Sequence, residues 1–331
     1  MLRTAVAVSF TSFGLWGAWY MLVLKRATRT TKIWGPRWLA ILLSSSLKKF
    51  GKFWLNYSDN AEETLKAGIF GPGSQYLMAW HPHGAFTVAA TYFLSNYWAR
   101  SYPGGGTRFV CIAPLLLRIP FLSEFLLLCN ARSADRKTFD SLLKSGATVA
   151  VQPGGLKEQV YTDASQERIF IPSNLGFVRL ALAHGTPLLP TYAFGENQLY
   201  NTGPKTIAFN TWLYKKFRIG NLIVLGQGGI PTTPILPNPL MLPGFRRGLH
   251  VRFGEPVEVG KPDPNPSEER VLEVFEEYKK AIRCLFDAHK DACLPPDVAA
   301  KGLEIVWSPP QTKKSTSLDP ALKVPEQVTG G

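Results

Sequence analysis

The sequence predicts an α/β fold: a mixed, largely parallel sheet with flanking helices, preceded by an N-terminal transmembrane helix and an interfacial amphipathic helix. Three observations carry this. From Gln75 onward, short apolar runs punctuated by Pro or Gly alternate with segments of helical length. One of them, Gln75 to Phe86 (QYLMAWHPHGAF), is apolar or aromatic from Tyr76 to Trp80, as in a strand covered on both faces. Near the start, Ala5 to Leu24 is uncharged and has the ~20-residue length needed to cross a hydrocarbon core as a helix.

The rival reading of Ala5–Leu24 is a signal peptide, but aromatic residues run up to Tyr20 and no small-x-small cleavage site precedes Lys25. Lys25, Arg26, Arg29 and Lys32 follow the stretch and Arg3 alone precedes it, so the positive-inside rule puts the bulk of the chain in the cytosol. Trp34–Trp54 carries Trp38, Leu42, Leu43, Leu47, Phe50 and Trp54 at helical spacing with Arg37, Lys48, Lys49 and Lys52 between them. That mixture suits a helix lying in the membrane interface; a second short span ranks behind it, because its uncharged part, Trp38–Leu47, is brief.

Beyond the strand at Tyr76–Trp80, Ala85–Asn96 has the length of a core helix. Arg108–Ala113, Thr148–Gln152, Pro187–Phe194 and a last strand at Leu249–Phe253 continue the sheet. Lys137–Ser145 and Gly176–His184 are helices closed by Gly146 and Gly185, and Ser267 caps a helix running to about His289. Gln227–Gly244 is a Gly- and Pro-rich loop with apolar residues, and the Pro, Lys, Ser and Thr after Trp307 suggest a disordered tail. The expected organisation is a membrane anchor and interfacial helix over 1–55, a catalytic domain over 56–306 and a tail over 307–331.

At 331 residues and 45% hydrophobic, the chain can bury a sizeable core. Its formal net charge of +13 suits an anionic membrane surface, nucleic acid or a phosphorylated coenzyme. Because the basic residues are dispersed and often adjoin apolar segments, nucleic acid is the weakest of these. Cys111, Cys129, Cys284 and Cys293 show no CxxC pair or metal-ligand spacing, which argues against a zinc site or a disulfide framework.

The chemistry is concentrated where strands end. His81 and His83 follow a buried strand, where open α/β sheets hold their ligands. G-x-S-x-G, Walker, H-E-x-x-H and G-x-G-x-x-G patterns are missing, so a histidine without a partner nucleophile remains, suited to acting as general base on a substrate hydroxyl. Gln152-Pro153-Gly154-Gly155-Leu156-Lys157-Glu158 ends another strand and would reach the same sheet edge. Backbone N–H groups at Gly154 and Gly155 can approach a phosphate or an oxyanion, Lys157 adds positive charge, and Glu158 can orient a histidine or hold a polar group. An ordinary strand-to-helix turn explains those residues equally well, and Glu196 and Asn197 after the next strand can likewise be substrate contacts or turn caps.

HPHG at His81–Gly84, PGGLKE at Pro153–Glu158, GFVRLALAHGTPLLPTYAFGEN at Gly176–Asn197, and FGEPV with YKKAIRCLFDAHK at Phe253–Val257 and Tyr278–Lys290 together resemble the type 2 diacylglycerol acyltransferase family. That family includes monoacylglycerol and wax-alcohol acyltransferases, and the resemblance covers roughly Trp54 to Lys290. It implies a glycerolipid-acyltransferase-like fold and an enzyme of the endoplasmic reticulum membrane, with lipid droplets as a second location. The implied reaction moves a fatty acyl group from acyl-CoA, a cosubstrate, to the hydroxyl of diacylglycerol, with no cofactor and no metal; the oligomeric state is left open. Members usually carry a basic pair just before GFV where this chain reads Ser173-Asn174-Leu175, leaving Arg179 nearby to serve that contact. Plant members commonly read Glu-Pro-His-Ser at the first block, so the second histidine is the shared position. This makes His83 the expected base and His81 a supporting residue, with a helix N-terminus after Gly84 keeping His83 neutral. Monoacylglycerol and long-chain alcohols are alternative acceptors, and a non-catalytic lipid-binding or droplet protein is the alternative of another class, against which His83 and Glu158 argue.

Overall fold

A computed structural model describes residues 17–71, 73–90, 107–200, 202–221, 223–230 and 248–307. Residues 17–27 are helical. The helices that follow are α1 (Arg37–Trp54), α2 (Ala61–Lys66), α3 (Leu122–Leu128), α4 (Arg136–Lys144), α5 (Gly155–Val160), α6 (Gly176–His184), α7 (Pro204–Phe217), α8 (Glu268–Cys293) and α9 (Pro296–Ala299). The strands are β1 (Ser58–Asp59), β2 (Leu77–His81), β3 (Arg108–Ile112), β4 (Ala131–Ser133), β5 (Thr148–Val151), β6 (Glu167–Phe170), β7 (Leu188–Phe194), β8 (His250–Phe253) and β9 (Leu303–Val306).

Among the described residues, seven strands form the main sheet in the order β1-β8-β7-β2-β5-β3-β4. Neighbours are parallel except β7 and β8, which run antiparallel. The sheet is thus mixed and largely parallel. β6 and β9 pair separately, in parallel.

β2 is buried along its whole length because each face meets its own apolar layer. Leu77 and Ala79 pack into the cluster built by α6, α8 and the β7 residues Leu188, Tyr192 and Phe194. Met78 and Trp80 point the other way, to Leu189, Ala193, Val251 and the N-terminal elements. Alternation of side chains along a strand makes the near-continuous apolar run necessary here. β5 and β7 flank β2 on opposite sides, so the connections leaving the three strands come together beyond the end of β2, the edge at which open α/β sheets hold ligands.

The helices follow their expected signals. Asp135 accepts the Thr138 N–H at 3.0 Å and Ser267 accepts the Arg270 N–H at 3.2 Å, fixing the starts of α4 and α8. In α8, Val271, Val274, Phe275, Tyr278, Ile282, Leu285 and Phe286 are buried at helical spacing, and the helix runs on to Cys293. Gly185, at φ 60°, closes α6.

Several expectations change. The helix predicted over Ala85–Asn96 begins only at Ala89, because Gly84 is left-handed (φ 66°) and the chain bends through Ala85 and Phe86; residues 91–96 lie outside the described part. The strand at His250–Phe253 is not the last, since β9 follows it, and β1, β4, β6 and β9 are strands the sequence pattern does not predict. They are short, and β9 is only partly buried, so they carry little apolar pattern. Most of Ala5–Leu24, much of Gln227–Gly244 and the tail beyond Trp307 fall outside the described residues. Among the described residues no helix is long and apolar enough to cross a membrane. In α1 the small residues Ala40, Ser44 and Gly51 face inward, whereas Trp38, Leu42, Phe50 and Trp54 are exposed. The chain between the N-terminal helical residues and α1 is fastened to the sheet by Arg132, fully buried, which donates to Thr30 O and Lys32 O at 2.7 and 2.5 Å.

Candidate active site

β2 delivers His81 as its last residue, and the adjoining His81–Pro82 peptide bond is cis. His81 is fully buried on the side of β2 that meets α8, its ring tilted towards Tyr278 at 6.4 Å between centroids. Its Nδ1 lies 3.3 and 3.2 Å from Oε1 and Oε2 of Glu158. A carboxylate only accepts, so a proton sits on His81 Nδ1, while Nε2 is buried with no hydrogen-bond partner among the described residues.

Glu158 is itself buried and satisfied by backbone donors. Oε1 accepts the His83 N–H at 2.5 Å and Oε2 accepts the Phe170 N–H at 2.9 Å. The glycines before it make room. A Cβ on Gly154 would stand 2.0 Å from Glu158 Oε2, so only glycine lets the carboxylate lie where the donors converge. The Gly155 N–H is used within the turn, donating to Gln152 O at 3.1 Å, so of the two expected oxyanion donors Gly155 is already engaged. Lys157 sits over the Phe170 ring at 5.3 Å.

His83 is the partly exposed member of the pair. Its Nδ1 is 2.9 Å from Thr87 Oγ1, which also lies 2.9 Å from His83 O and 3.2 Å from Gln152 Oε1. The hydroxyl has one proton, and the two oxygens around it can only accept. Giving that proton to Nδ1 would face lone pairs against both oxygens; giving it to an oxygen lets Nδ1–H donate to Thr87. The second arrangement assigns the proton to Nδ1 and frees Nε2 as a base. Burial lowers the His83 pKa, against the attraction of Glu158. Burial, rather than a helix N-terminus after Gly84, is what favours the neutral form of this imidazole.

The helix N-terminus belongs to Glu196. Buried, it accepts the N–H groups of Val88 and Ala89 at 2.6 and 2.9 Å, and burial pushes its pKa up to about 8 against those two donors. It also occupies the space a side chain at position 84 would need: a Cβ there would stand 2.6 Å from Glu196 Cγ. Glu196 thus shapes the turn that carries His83. Asn197 serves a different group, donating at 3.0 Å to Glu167, a buried carboxylate that also accepts from Tyr192 and Gln198. Arg179 is engaged away from the histidines, with Asn174 O at 3.0 Å and Glu268 at 2.5 Å. Among the described residues no group of three or more His, Cys, Asp or Glu could hold a metal ion.

The geometry therefore brings together His81, His83, Gly154 and Glu158, holds Glu196 behind them, and commits Asn197 to Glu167 and Arg179 to Asn174 and Glu268. Residues 53–300 match the family model described as diacylglycerol acyltransferase. The chain belongs to the diacylglycerol acyltransferase family. It is 33% identical over 254 residues to human acyl-CoA wax alcohol acyltransferase 2, covering 72% of this chain and 73% of that protein. It is 27% identical to diacylglycerol O-acyltransferase 2B of Umbelopsis ramanniana (72% and 70% covered) and 28% identical to bovine 2-acylglycerol O-acyltransferase 1 (68% of each).

Within this acyltransferase family member, the His81–Glu158 cluster lies wholly inside the matched region. The sequence placed Gln152 at the head of the glycine loop without a role of its own, and nothing in it marked Thr87 or Glu167. Thr87 stands four residues after His83, a spacing that points to the contact only once the local turn is known, and Glu167 opens β6, a strand too short to be read.

Proposed function

We propose that this member of the family is a diacylglycerol O-acyltransferase with His83 as its general base. The observation that carries the reading is a partly exposed imidazole whose Nδ1 lies against the Thr87 hydroxyl, at the end of the central strand and beside the buried His81–Glu158 pair. His83 Nε2 takes the proton of the acceptor hydroxyl as its oxygen attacks the thioester carbonyl of acyl-CoA. The tetrahedral oxyanion collapses, the C–S bond breaks, and the CoA thiolate recovers the proton from the imidazolium, leaving triacylglycerol and free CoA. The Gly154 N–H is the remaining candidate of the glycine pair to face the oxyanion. His81 and Glu158 act behind His83, holding its backbone in place.

The basic surface suits the phosphates of acyl-CoA, and diacylglycerol, uncharged and retained in the bilayer, approaches laterally. The endoplasmic reticulum membrane, with the catalytic part facing the cytosol, and lipid droplets are the proposed locations. A second acceptor reading, a long-chain alcohol, is favoured by the 33% identity to a wax alcohol acyltransferase. A panel of diacylglycerol, monoacylglycerol and fatty alcohol with one labelled acyl-CoA separates the readings. Preferred esterification of diacylglycerol is the expected result; preference for another acceptor overturns the acceptor, and lipid binding without turnover overturns the enzyme.

A further inference from the structure

α7 presents an apolar, basic face whose aromatic side chains are left exposed among the described residues. Its inward side holds Asn210 and Leu213, both buried, and Asn210 Nδ2 donates to Ile223 O at 2.8 Å. Its outward side is aromatic. Phe209, Trp212 and Phe217 are 40%, 50% and 51% exposed, although side chains of this size are ordinarily covered in a water-soluble surface. Phe209 stacks on Trp212 at 6.1 Å, Phe217 meets Trp212 edge-on at 5.7 Å, and the Lys216 ammonium lies 5.4 Å from both the Trp212 and Phe217 rings. Ile219 continues the exposed surface, and a Cβ on Gly220 would touch Leu156 Cδ2 at 2.9 Å, so this surface reaches α5, the helix that carries Glu158.

Charge decides the partner. From Asn197 to Gly254 the sequence contains no Asp or Glu, whereas Lys205, Lys215, Lys216 and Arg218 lie on or beside α7. Aromatic rings with lysines around them and no acidic residue match an interface that is apolar within and anionic at its rim. α7 has 14 residues, ~21 Å at ~1.5 Å per residue, too short for the ~30 Å hydrocarbon core and long enough to lie along it.

We propose that the outward face of α7 is a second membrane-docking surface, seated in the headgroup and upper acyl region of a bilayer containing anionic phospholipid. It differs from the N-terminal attachment in being joined directly to the histidine turn. Asn221, four residues beyond α7, donates to Ala85 O at 3.1 Å and to Gln159 O at 2.8 Å, and Gln159 Nε2 donates to the same Ala85 carbonyl at 3.2 Å. Docking there holds the turn after His83 against the bilayer, shortening the path of a membrane-bound acceptor. The inference rests on the reading that the acceptor is a bilayer lipid, yet it can be measured without turnover.

The test uses the full chain with Cys284→Ser, which removes the exposed cysteine while Cys111, Cys129 and Cys293 stay buried. Trp212→Cys, or Lys144→Cys as a control on exposed α4 surface, is labelled in the folded protein with NBD and reconstituted into phosphatidylcholine–phosphatidylserine vesicles. The expected result is blue-shifted emission quenched by nitroxide-bearing lipid at position 212 and neither effect at 144. Adding Lys215→Glu, Lys216→Glu and Arg218→Glu should diminish the quenching. Water-like emission at 212, accessible to aqueous iodide, overturns the proposal. So does a blue shift that lipid nitroxides do not quench and that disappears on dilution of the protein, which would identify a contact between copies. A quenched label in a protein without activity keeps this inference and removes only the enzymatic one.

Discussion

The side chain of Glu158 accepts the backbone N–H of His83 at 2.5 Å. Its carboxylate also faces His81 Nδ1, so a single buried group on α5 governs both histidines at the end of β2. The consequence is a site built by crossing two loops, in which changes to the glycine loop should act through the histidine turn.

Glu158→Gln retains the size of the side chain but replaces one acceptor oxygen by a donor, which must face the His83 or the Phe170 N–H. Leaving a buried donor unpaired costs ~1–3 kcal/mol, so a lower melting temperature in detergent and reduced acyl transfer are expected. Gly154→Ala should reproduce this, because its Cβ would stand 2.0 Å from Glu158 Oε2. The double variant should be little worse than either single one; full additivity would show that the glycine acts elsewhere.

His83→Ala should abolish acyl transfer while the protein still expresses and partitions with membranes. Losing a general base costs on the order of 10²–10⁴ in rate. His81→Ala should be damaging but less absolute. Full activity of the His83 variant in a labelled acyl-CoA assay would sink the assignment.

Thr87→Val keeps the shape and removes the hydroxyl that receives His83 Nδ1–H. A fall in kcat on the order of 10- to 100-fold is expected, by analogy with groups that orient metal-bound histidines, with KM for acyl-CoA nearly unchanged. Thr87→Ser should restore most of it. Equal activity of the valine and serine variants would show that packing alone matters at this position.

The pH profile follows from burial of His83, which lowers its pKa below the ordinary 6.5. A base works in its neutral form, and a lowered pKa extends that form to more acidic solution. kcat/KM should therefore hold steady as pH falls through 6.5 and decline only below it. A decline centred above 6.5 would contradict the assignment.

Removal of residues up to Leu24 should loosen membrane attachment more than it harms turnover, because the exposed aromatic residues of α1 remain. Vesicle flotation and acyl transfer measured on one preparation check this. A fully soluble, inactive product would contradict it.

Much of the central scaffold was legible. The apolar run before His81 required a strand covered on both faces, and Ser267 followed by a long periodic run required a capped helix. The pairing of β6 with β9 was not legible, because the partners lie more than a hundred residues apart and neither strand carries a strong apolar period. The same limit hid the different fates of Glu196 and Asn197. They are adjacent in the chain, yet one caps the helix after the histidine turn and the other feeds the buried Glu167.

By itself the sequence determined that this is a mixed α/β protein of the diacylglycerol acyltransferase type, with two histidines at the end of a buried strand. Apolar periodicity and motif order are properties of the chain, and they suffice for that. Only the tertiary structure decided how the histidines differ: His81 is enclosed and tied to Glu158, while His83 is partly open and held by Thr87. Burial and proton placement depend on groups brought in from other strands and helices, and no local pattern encodes those distances.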